Sequence, residues 1–418
     1  MPPEPELGTS VPRPRVFYGW VVVAGAFVVL FLAYGAQCAF GVFFAALLNE
    51  FGWSRTGLSG VFSLYAFLYS VFGFATGPLT DRWGPRVVVA IGGVFLGVGL
   101  AGMSQVRELW HPYLLYGVVA ALGMSTAYVP CNATVVKWFV RQRGLAVGVA
   151  SSGGSLGAFA LPPLAHILVN ALDWRQAFVV FGAGILVLLN AVATVMKRDP
   201  ELLGLAPDGM PRNPSVLIRK NEAQWPLSRA LRTPAFWMLF GIFAATWTPV
   251  FVPLVHVVPF ARDLGISPLL ASTAVSALGI GAFFGRLVMG GISDLIGRKA
   301  ALAISLALQV LAFAGFAAVG GLASLYVVAV DFGFSYGAIS TLFPAIVGDF
   351  FGREQAGGLV GFLFGLAGSL AGVGPVAAGA IYDATGSYTR AFLLSAGFNG
   401  AALLLLALAH PPRSEGGP

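Results

Sequence analysis

Charged side chains are scarce in this chain of 418 residues: they make up 10% of it, whereas hydrophobic residues make up 57%. A water-soluble domain has about 25% charged residues, so the composition excludes an ordinary soluble protein. Cysteine is also rare, and Cys38 and Cys131 both lie in apolar segments without metal-ligand spacing. We therefore expect neither a disulfide framework nor a metal site. No glycine-rich phosphate loop of the G-x-x-x-x-G-K-[S/T] type occurs, so we also expect no cofactor and no enzyme.

An internal repeat is the strongest positive signal in the sequence. Residues 51–86 reappear without a gap at residues 264–299, at an offset of 213. A repeat of this length in a very hydrophobic chain predicts two copies of one helical bundle. The matched positions are Gly52, Ser54, Ser59, Ser63, Gly77, Asp81, Gly84 and Arg86 with Gly265, Ser267, Ser272, Ser276, Gly290, Asp294, Gly297 and Lys299.

Twelve stretches are long and apolar enough to cross a membrane, which requires about 20 residues each. The predicted spans are 18–46, 57–78, 87–104, 112–136, 145–169, 176–196, 234–258, 269–292, 300–319, 324–347, 357–382 and 390–410. The sequence thus predicts an all-α membrane protein with twelve transmembrane helices in two six-helix halves. The halves occupy residues 18–196 and 234–410, joined by a polar linker over 197–233 and flanked by tails at 1–17 and 411–418.

The distribution of basic residues predicts how the helices are oriented. If both termini are cytoplasmic, most of the 24 Lys and Arg residues fall in cytoplasmic segments, as the positive-inside rule requires. The outer loops then carry only Arg55, Arg107, Arg175, Arg262 and Arg390. We expect a multi-pass protein of the plasma membrane, which in a bacterium is the inner membrane. The net charge of +7 is explained in this way without nucleic acid, and the bilayer is the expected partner.

The loops after the second and eighth predicted helices, residues 77–86 and 290–299, share one spacing of Gly, Asp and basic residues. They resemble the signature loop of the major facilitator superfamily, and the resemblance extends to the topology of the whole chain. It implies two half-bundles that rock about a central site, with these loops as a latch between them. The alternative is that the loops are only topogenic turns. The residues concerned are Asp81, Arg82, Gly84, Arg86, Asp294, Gly297, Arg298 and Lys299.

Three further segments resemble the monocarboxylate porter family within that superfamily. They are Tyr18–Trp20 at the start of the first helix, Lys137–Gly148 at the start of the fifth, and Phe260–Gly265 before the eighth. The resemblance implies transport of a small monocarboxylate of the lactate or pyruvate type, coupled to protons. We interpret the basic residues of the second segment as positive-inside anchors and as family indicators, not as a binding site.

Arg286 is the sharpest candidate for substrate binding, because it lies well inside the eighth predicted helix. A mid-membrane Arg costs ~2.5–3.5 kcal/mol on insertion scales and must face protein or a water-filled cavity. Its guanidinium is always charged and matches the geometry of a carboxylate. Its counterpart in the repeat is Gly73, so no structural role is common to both halves. In the resembled family, an arginine at this place binds the substrate carboxylate. The alternative is a structural ion pair with an acid such as Asp331.

Polar side chains on the first, fourth and tenth helices are the remaining binding candidates. Tyr128 and Asn132 are one turn apart and share a helix face. Tyr336 occupies the related place in the second half, and the resemblance puts these helices around the cavity. Each side chain alone is typical of helix–helix packing. The candidates are Tyr34, Gln37, Ser125, Tyr128, Asn132 and Tyr336, with His256 near the mouth and Trp247 and Phe251 for an apolar part of the substrate.

Three residues are candidates for proton coupling. His256 lies near the outer end of the seventh helix, ahead of Asp263, and histidine titrates in the physiological range. Asp331 is the one acid clearly within a span, in the tenth helix. The alternatives are a hydrogen-bonding packing role for His256 and a structural role for Asp331 near the outer mouth.

The sequence departs from the resembled families at three places. Cys38 stands where animal porters carry a lysine in the first helix, and Ala282 stands where they carry an Asp four residues before the arginine. Oxalate–formate exchangers, which the chain also resembles, use a second base on the eleventh helix. Between Arg353 and Arg390 this sequence has none. A single deep cation favours a monoanion, because a second buried carboxylate would be unpaired.

Two other functions stay open at this stage. The chain is compatible with an exporter or exchanger of another organic anion or an amphipathic drug, in which aromatic contacts would dominate. A membrane sensor that binds a ligand without moving it is the alternative from another class, although the sequence contains no sizeable soluble signalling domain. We expect a monomer.

Overall fold

The structure is a computed structural model, which describes residues 17–53, 55–209, 225–352 and 356–412. Within this part of the chain, twelve helices are long and apolar enough to cross a membrane, which confirms the predicted number. They are α1 (Tyr18–Phe51), α2 (Arg55–Trp83), α3 (Pro85–Gly102), α4 (Trp110–Trp138), α5 (Arg143–Ala171), α6 (Trp174–Ala193), α7 (Pro234–Asp263), α8 (Pro268–Ile296), α9 (Arg298–Ala317), α10 (Leu322–Phe351), α11 (Ala356–Tyr382) and α12 (Thr389–Leu408).

Two of these helices are interrupted inside the span. The α4 helix contains a π-helical stretch at Tyr113–Ala120 and a kink at Thr126, before it continues as Tyr128–Trp138. The α11 helix is broken between Leu370 and Val373. Such irregular backbone is tolerated at membrane depth only where protein or a water-filled cavity covers it. Both interruptions therefore mark helices that face the interior of the bundle.

The α2–α3 and α8–α9 connections are nearly direct, and each depends on one glycine. Gly84 has φ 83° and Gly297 has φ 89°, a left-handed conformation that side chains with a Cβ rarely adopt. We call the end of the bundle that carries these two connections the basic end, and the other the opposite end. The shared conformation shows that the sequence repeat is also a repeat of backbone geometry.

The helices form an N-terminal half, α1–α6, and a C-terminal half, α7–α12. Within the halves, α1 packs on α5 and α3 on α6, whereas α8 packs on α10 and α9 on α12. Contacts between the halves come mainly from two helix pairs, α2 with α11 and α5 with α8. These pairs are related by the repeat, so one packing solution is used twice.

Glycines allow each of these interhalf pairs to approach closely near the basic end. A Cβ atom at Gly77 of α2 would lie 2.1 Å from the carbonyl oxygen of Gly357 of α11. In the other pair, a Cβ atom at Gly290 of α8 would lie 2.6 Å from the carbonyl oxygen of Gly144 of α5. Gly77 and Gly290 are 213 residues apart, as are Gly144 and Gly357. The offset of 213 therefore also holds beyond the segment in which it was recognised.

The described parts of the linker contact both halves of the bundle. In the N-terminal half, the indole nitrogen of Trp138 donates a hydrogen bond to the carbonyl oxygen of Lys197 at 2.9 Å. In the C-terminal half, the buried Trp225 packs edge-on against Phe351 at the end of α10, with ring centroids 6.2 Å apart. The described parts of the linker thus contact the basic end of the bundle.

Candidate functional site

Arg286 lies half-buried on α8, nearly three turns before the helix ends at the basic end, and its partners among the described residues are neutral. Its Nε donates a hydrogen bond to Ser340 Oγ of α10 at 3.3 Å, and its Nη1 donates to Ser155 Oγ of α5. The guanidinium also lies 5.6 Å from the ring centre of Tyr336. Nowhere in the described ranges does a carboxylate form an ion pair with it. Since a guanidinium carries five N–H donors, several remain available to an anion.

Asp331, the acid named above as an alternative partner, does not contact Arg286. It is half-buried on α10, nine residues before Ser340, which is about 14 Å along a helix. None of the described residues forms a hydrogen bond or ion pair with its carboxylate. The structure therefore does not contain the structural ion pair between Arg286 and Asp331.

Tyr336 and Tyr128 are brought to Arg286, as the sequence suggested, but in different ways. Tyr336 presents its ring to the guanidinium. The buried Tyr128 hydroxyl donates a 2.7 Å hydrogen bond to the carbonyl oxygen of Ser340, in the other half. Tyr128 is thus a bridge between α4 and α10, directly beside the arginine.

Asn132 does not face the same space as Tyr128. It is fully buried, and its amide nitrogen donates to the Tyr128 carbonyl oxygen at 2.9 Å. Its amide oxygen accepts from Ser151 Oγ of α5 at 2.9 Å. In this conformation Asn132 packs α4 against α5, so its contact with a solute stays a prediction. A spacing of one helical turn was therefore not enough to place both side chains in one pocket.

Gln37 lies on α1 and lines a separate cavity between α1 and α2. Its amide oxygen is buried and has no hydrogen-bond partner among the described residues.

Ser125 donates to the carbonyl oxygen of Leu122 within α4 at 2.7 Å. Trp247 of α7 lies next to Tyr128, with ring centroids 6.4 Å apart.

His256 and Asp263 are not a pair. The Nε2 atom of His256 lies 3.0 Å from the Pro375 carbonyl oxygen of α11, and Nδ1 lies 3.2 Å from the Tyr388 hydroxyl. A carbonyl only accepts, so Nε2 carries a hydrogen and Nδ1 accepts from Tyr388 when the ring is neutral. Asp263 is exposed at the last residue of α7. Within the described part of the chain, the hydrogen bonds of the His256 ring therefore go to α11 and to the residue before α12, and not to Asp263.

The signature loop of the N-terminal half contacts the other half through Asp81. Its Oδ2 accepts a 2.7 Å hydrogen bond from the backbone nitrogen of Gly358, in the first turn of α11. Its Oδ1 forms a 2.7 Å salt bridge with Lys137 at the end of α4. A carboxylate is favoured at a helix N-terminus, where unpaired N–H groups carry partial positive charge.

The loop of the C-terminal half repeats this arrangement with Asp294. Its two oxygens accept 2.8 Å hydrogen bonds from the backbone nitrogens of Gly144 and Leu145, at the start of α5. Arg298 donates to the same carboxylate, and its Nε also lies 3.4 Å from Asp349 at the end of α10. Asp349 in turn forms a salt bridge with Arg143 of α5.

The remaining candidates from the signature loops form no hydrogen bond or ion pair with the other half in the described part of the chain. Arg82 and Arg86 are exposed. Lys299 donates hydrogen bonds to the carbonyl oxygens of Ala407, in the last turn of α12, and of Ala409, directly after that helix. Gly84 and Gly297 provide the left-handed turns described above.

Asp208 of the linker is a residue that the sequence analysis missed. Its Oδ2 accepts hydrogen bonds from the backbone nitrogens of Val140 at 3.1 Å and Arg141 at 2.9 Å, in the loop that leads into α5. Its backbone has φ 58°, an uncommon conformation for a residue with a side chain. An Asp-Gly pair in a polar linker was the only signal, and it indicates a turn without naming its partner. Ser155, Ser340, Arg143 and Asp349 were also missed.

Two of the three segments that suggested a family lie together. Tyr18 packs on Trp138 with ring centroids 5.6 Å apart, and Trp20 packs edge-on against Phe139 at 5.0 Å. The Tyr18–Trp20 segment thus packs against the start of the Lys137–Gly148 segment, which fixes α1 against the loop before α5.

Comparison with known proteins agrees with this architecture. The family model described as Major Facilitator Superfamily matches residues 26–372 and, in a second match, 247–418. Monocarboxylate transporter 11 of Homo sapiens is 31% identical over 394 residues, which cover 90% of this chain and 80% of the relative. Monocarboxylate transporter 13 of Rattus norvegicus is 30% identical over 389 residues, covering 91% and 86%.

Solved structures share the fold at low sequence identity. The proton:xylose symporter XylE superposes with a TM-score of 0.75 at 13% identity, covering 94% of this chain and 95% of the other. The Escherichia coli fucose:proton symporter FucP gives a TM-score of 0.72 at 15% identity, covering 94% and 100%. With twelve helices in two related halves and matches over most of its length, the chain belongs to the major facilitator superfamily and, within it, to the monocarboxylate transporter family: it is a multi-pass membrane transporter and not an enzyme.

Proposed function

We propose that the protein is a secondary active transporter that carries a monocarboxylate together with a proton by alternating access. The observation that carries this proposal is Arg286, a guanidinium in the middle of the bundle whose described partners are two hydroxyls and a ring. A carboxylate would accept a bidentate pair of charge-assisted hydrogen bonds from the guanidinium, which these neutral groups do not provide. The names of the monocarboxylate transporter relatives support the same class of substrate.

The conformation supports alternating access. Both interhalf helix pairs are in close contact at the basic end, where Asp81 and Asp294 bind the first turns of α11 and α5. The signature loops are therefore the latch that closes this end. By the positive-inside rule the basic end is cytoplasmic, so the site is reached from outside the cell. Rocking of the halves would break the latch and expose Arg286 to the cytoplasm.

Electrostatics supports coupling to a proton. Moving an unneutralised carboxylate through a region of low dielectric is costly, so a co-transported proton lets the loaded carrier reorient without net charge. Asp331 is the best candidate for carrying it, because it is half-buried and none of the described side chains pairs with it. His256 has both ring nitrogens in hydrogen bonds and is the second candidate. Asp263 is exposed at the end of α7, so we rank it last.

The test is uptake of labelled lactate and pyruvate into proteoliposomes, with and without an inward proton gradient. We expect the gradient to stimulate uptake and Arg286→Ala to reduce it roughly 30-fold or more, because a buried anion would lose its charged partner. Arg286→Lys keeps the positive charge but loses the planar guanidinium that donates two parallel hydrogen bonds, so its uptake should be intermediate. Arg390→Ala is the matched control, since Arg390 is exposed at the opposite end.

The outcomes separate this proposal from its alternatives. Uptake by Arg286→Ala at the parent rate, in protein with an unchanged unfolding temperature, would contradict the role of Arg286. Bulky amphipathic drugs transported in preference to carboxylates would indicate the exporter. Binding of carboxylates without uptake or counterflow would indicate the sensor.

A further inference from the structure

A cavity of about 410 Å³ lies between α1 and α2, apart from the arginine. We call it the α1–α2 pocket; its lining includes Gln37, Phe40, Gly41, Phe44, Phe62 and Ser63. None of the lining residues in the described part of the chain is charged. The pocket is partly open, and the lining residues Cys38 and Ser63 are exposed. It is therefore an accessible chamber with aromatic and neutral polar walls.

The pocket lies on the Arg286 side of α1. Tyr34, Cys38 and Gly41 follow one another at intervals of four and three residues, so they share one face of the helix. Tyr34 packs against Gly154 of α5, where an added Cβ atom would lie 3.2 Å from its ring, and the adjacent Ser155 accepts the hydrogen bond from Arg286. Cys38 is one turn, about 6 Å, further towards the opposite end. The pocket thus begins about one helical turn beyond the position at which Arg286 would hold a carboxylate.

One buried polar atom without a described partner lies in the pocket wall, and two more lie behind Phe40. The amide oxygen of Gln37 has no hydrogen-bond partner among the described residues, and neither do the hydroxyls of Tyr65 and Tyr116. Both tyrosines are 1% exposed. Phe40, which lines the pocket, stacks on Tyr116 with ring centroids 4.2 Å apart, and Tyr116 is 4.6 Å from Tyr65. Because buried polar groups are nearly always paired, the Gln37 amide oxygen in the pocket wall points to a polar group supplied by a ligand.

The pocket is not part of the duplicated scaffold. At the offset of 213, Val250, Phe251 and Pro253 stand in place of Gln37, Cys38 and Phe40. Leu278 stands in place of Tyr65. The fold of the second half forms without these polar and aromatic groups, so the first half does not need them for folding. Their presence in one half only is typical of a feature that serves a ligand.

We propose that the α1–α2 pocket binds the tail of the substrate, and that the substrate class is a short monocarboxylate ending in an aromatic ring with a hydroxyl group. This inference rests on the proposed function, because Arg286 holds the carboxylate. The rings of Phe40 and Phe62 provide offset or edge-on packing for an aryl tail. The Gln37 amide oxygen accepts from its hydroxyl. A three-carbon acid on Arg286 would leave the pocket unused.

The experiment compares binding of 3-(4-hydroxyphenyl)propionate, 3-phenylpropionate and propionate to the purified protein by calorimetry. We expect affinity to fall in that order. Gly41→Leu fills the pocket without displacing backbone, since a Cβ atom at Gly41 has no neighbour within 4 Å. It should weaken both aryl acids roughly 10-fold and leave propionate unchanged. Gln37→Leu should remove only the preference for the hydroxyl, roughly 2- to 10-fold.

Two control variants test whether the substrate tail lies in the α1–α2 pocket. Gly184→Leu on α6 adds the same bulk in open space away from the pocket and should change no affinity. Phe251→Leu tests the corresponding wall of α7. If Phe251→Leu removes the aryl preference and Gly41→Leu does not, the tail lies on the C-terminal half and the proposal is overturned.

The result also separates this inference from the function on which it rests. Binding that disappears in Arg286→Ala but shows no preference for aryl acids overturns the tail pocket alone. Binding of all three acids that survives in Arg286→Ala overturns the proposed function. A protein that binds none of the three acids overturns both.

Discussion

The α2–α11 and α5–α8 crossings at the basic end have the same geometry but different charges. In each, a pair of glycines brings the two backbones together, and an Asp accepts a hydrogen bond from the first turn of the facing helix. The two glycine pairs are related by the offset of 213. The acceptor Asp81 is paired with Lys137 of its own half. At the α5–α8 crossing, by contrast, Arg143 and Asp349 form an additional salt bridge between the halves.

The difference shows what duplication preserves and what it leaves free to change. Glycine at a backbone crossing has no substitute, because any Cβ would meet a carbonyl oxygen. The ion pairs can change, since the position that corresponds to Arg143 is Ala356. Within the described ranges, we therefore expect the α5–α8 crossing to hold the closed basic end more firmly than the α2–α11 crossing.

The largest effect is expected from adding bulk at the firmer crossing. A Cβ atom at Gly148 would lie 2.3 Å from the Arg286 carbonyl oxygen, so Gly148→Leu should prevent the basic end from closing. Cys38 reports the conformation, because it is exposed in the α1–α2 pocket whereas Cys131 is buried. We expect maleimide labelling of Cys38 in nanodiscs to slow roughly 10-fold or more, which corresponds to at least 1.4 kcal/mol.

Gly184→Leu is the control for this variant, because its Cβ has no neighbour within 4 Å. Labelling of Gly148→Leu at the parent rate would show that the crossing is not what closes the basic end. Gly361→Leu makes the equivalent change in the α2–α11 crossing and gives the direct comparison.

How much of this was predictable depends on whether a feature is local. The twelve spans and the glycine turns follow from hydrophobic length and from the repeat, and the structure contains them. Applying the offset of 213 beyond residue 86 would also have revealed Gly144 with Gly357 and Gly148 with Gly361. The repeat is thus a stronger signal for the crossings than any single motif.

The partners of the site residues could not be predicted, because they depend on which helix faces meet. Tyr128 and Asn132 share a helix stripe, yet one bonds to α10 and the other to α5. His256 precedes Asp263 on one helix, yet its ring is held by Pro375 and Tyr388 from α11 and its junction with α12. Arg286 was recognisable from its depth alone, whereas Ser155 and Ser340 carry no signal in the sequence.

A smaller effect should follow from removing the ion pair that distinguishes the two crossings. Arg143→Gln and Asp349→Asn each remove this salt bridge. Asp349 still has Arg298 at 3.4 Å in the first variant and is 35% exposed, so water screens the loss. We expect each to slow Cys38 labelling by a factor of roughly 5, or about 1 kcal/mol. The double variant should cost no more than either single one. Additive effects in this cycle would show that the two charges do not interact.

A similar or smaller energetic effect is expected from Asp208 of the linker, in this case on the free energy of unfolding. Asp208→Ala removes an acceptor from the N–H groups of Val140 and Arg141, so the start of α5 should be held less firmly. We expect a loss of about 1 kcal/mol in the free energy of unfolding, as for a lost helix cap. Asp208→Gly also removes the acceptor but favours φ 58°, so it should destabilise less than Ala. Equal stability of Asp208→Ala and the parent in thermal unfolding would contradict this role.

The smallest effect is expected at the opposite end, where Glu50 joins elements of one half only. The Trp174 N–H lowers the pKa of Glu50, and Arg175 lowers it further. Because the folded pKa is lowered, this contact stabilises the fold above the unfolded pKa of about 4.3 and is lost as the pH falls through the folded value. Thermal unfolding of the parent should therefore lose a little more stability than Glu50→Gln between pH 7 and pH 4. Cys38 labelling at pH 7 should be the same in both, since α1 and α6 move together. A change in labelling would mean that this contact also biases the two halves, and the contrast between the ends of the bundle would no longer hold.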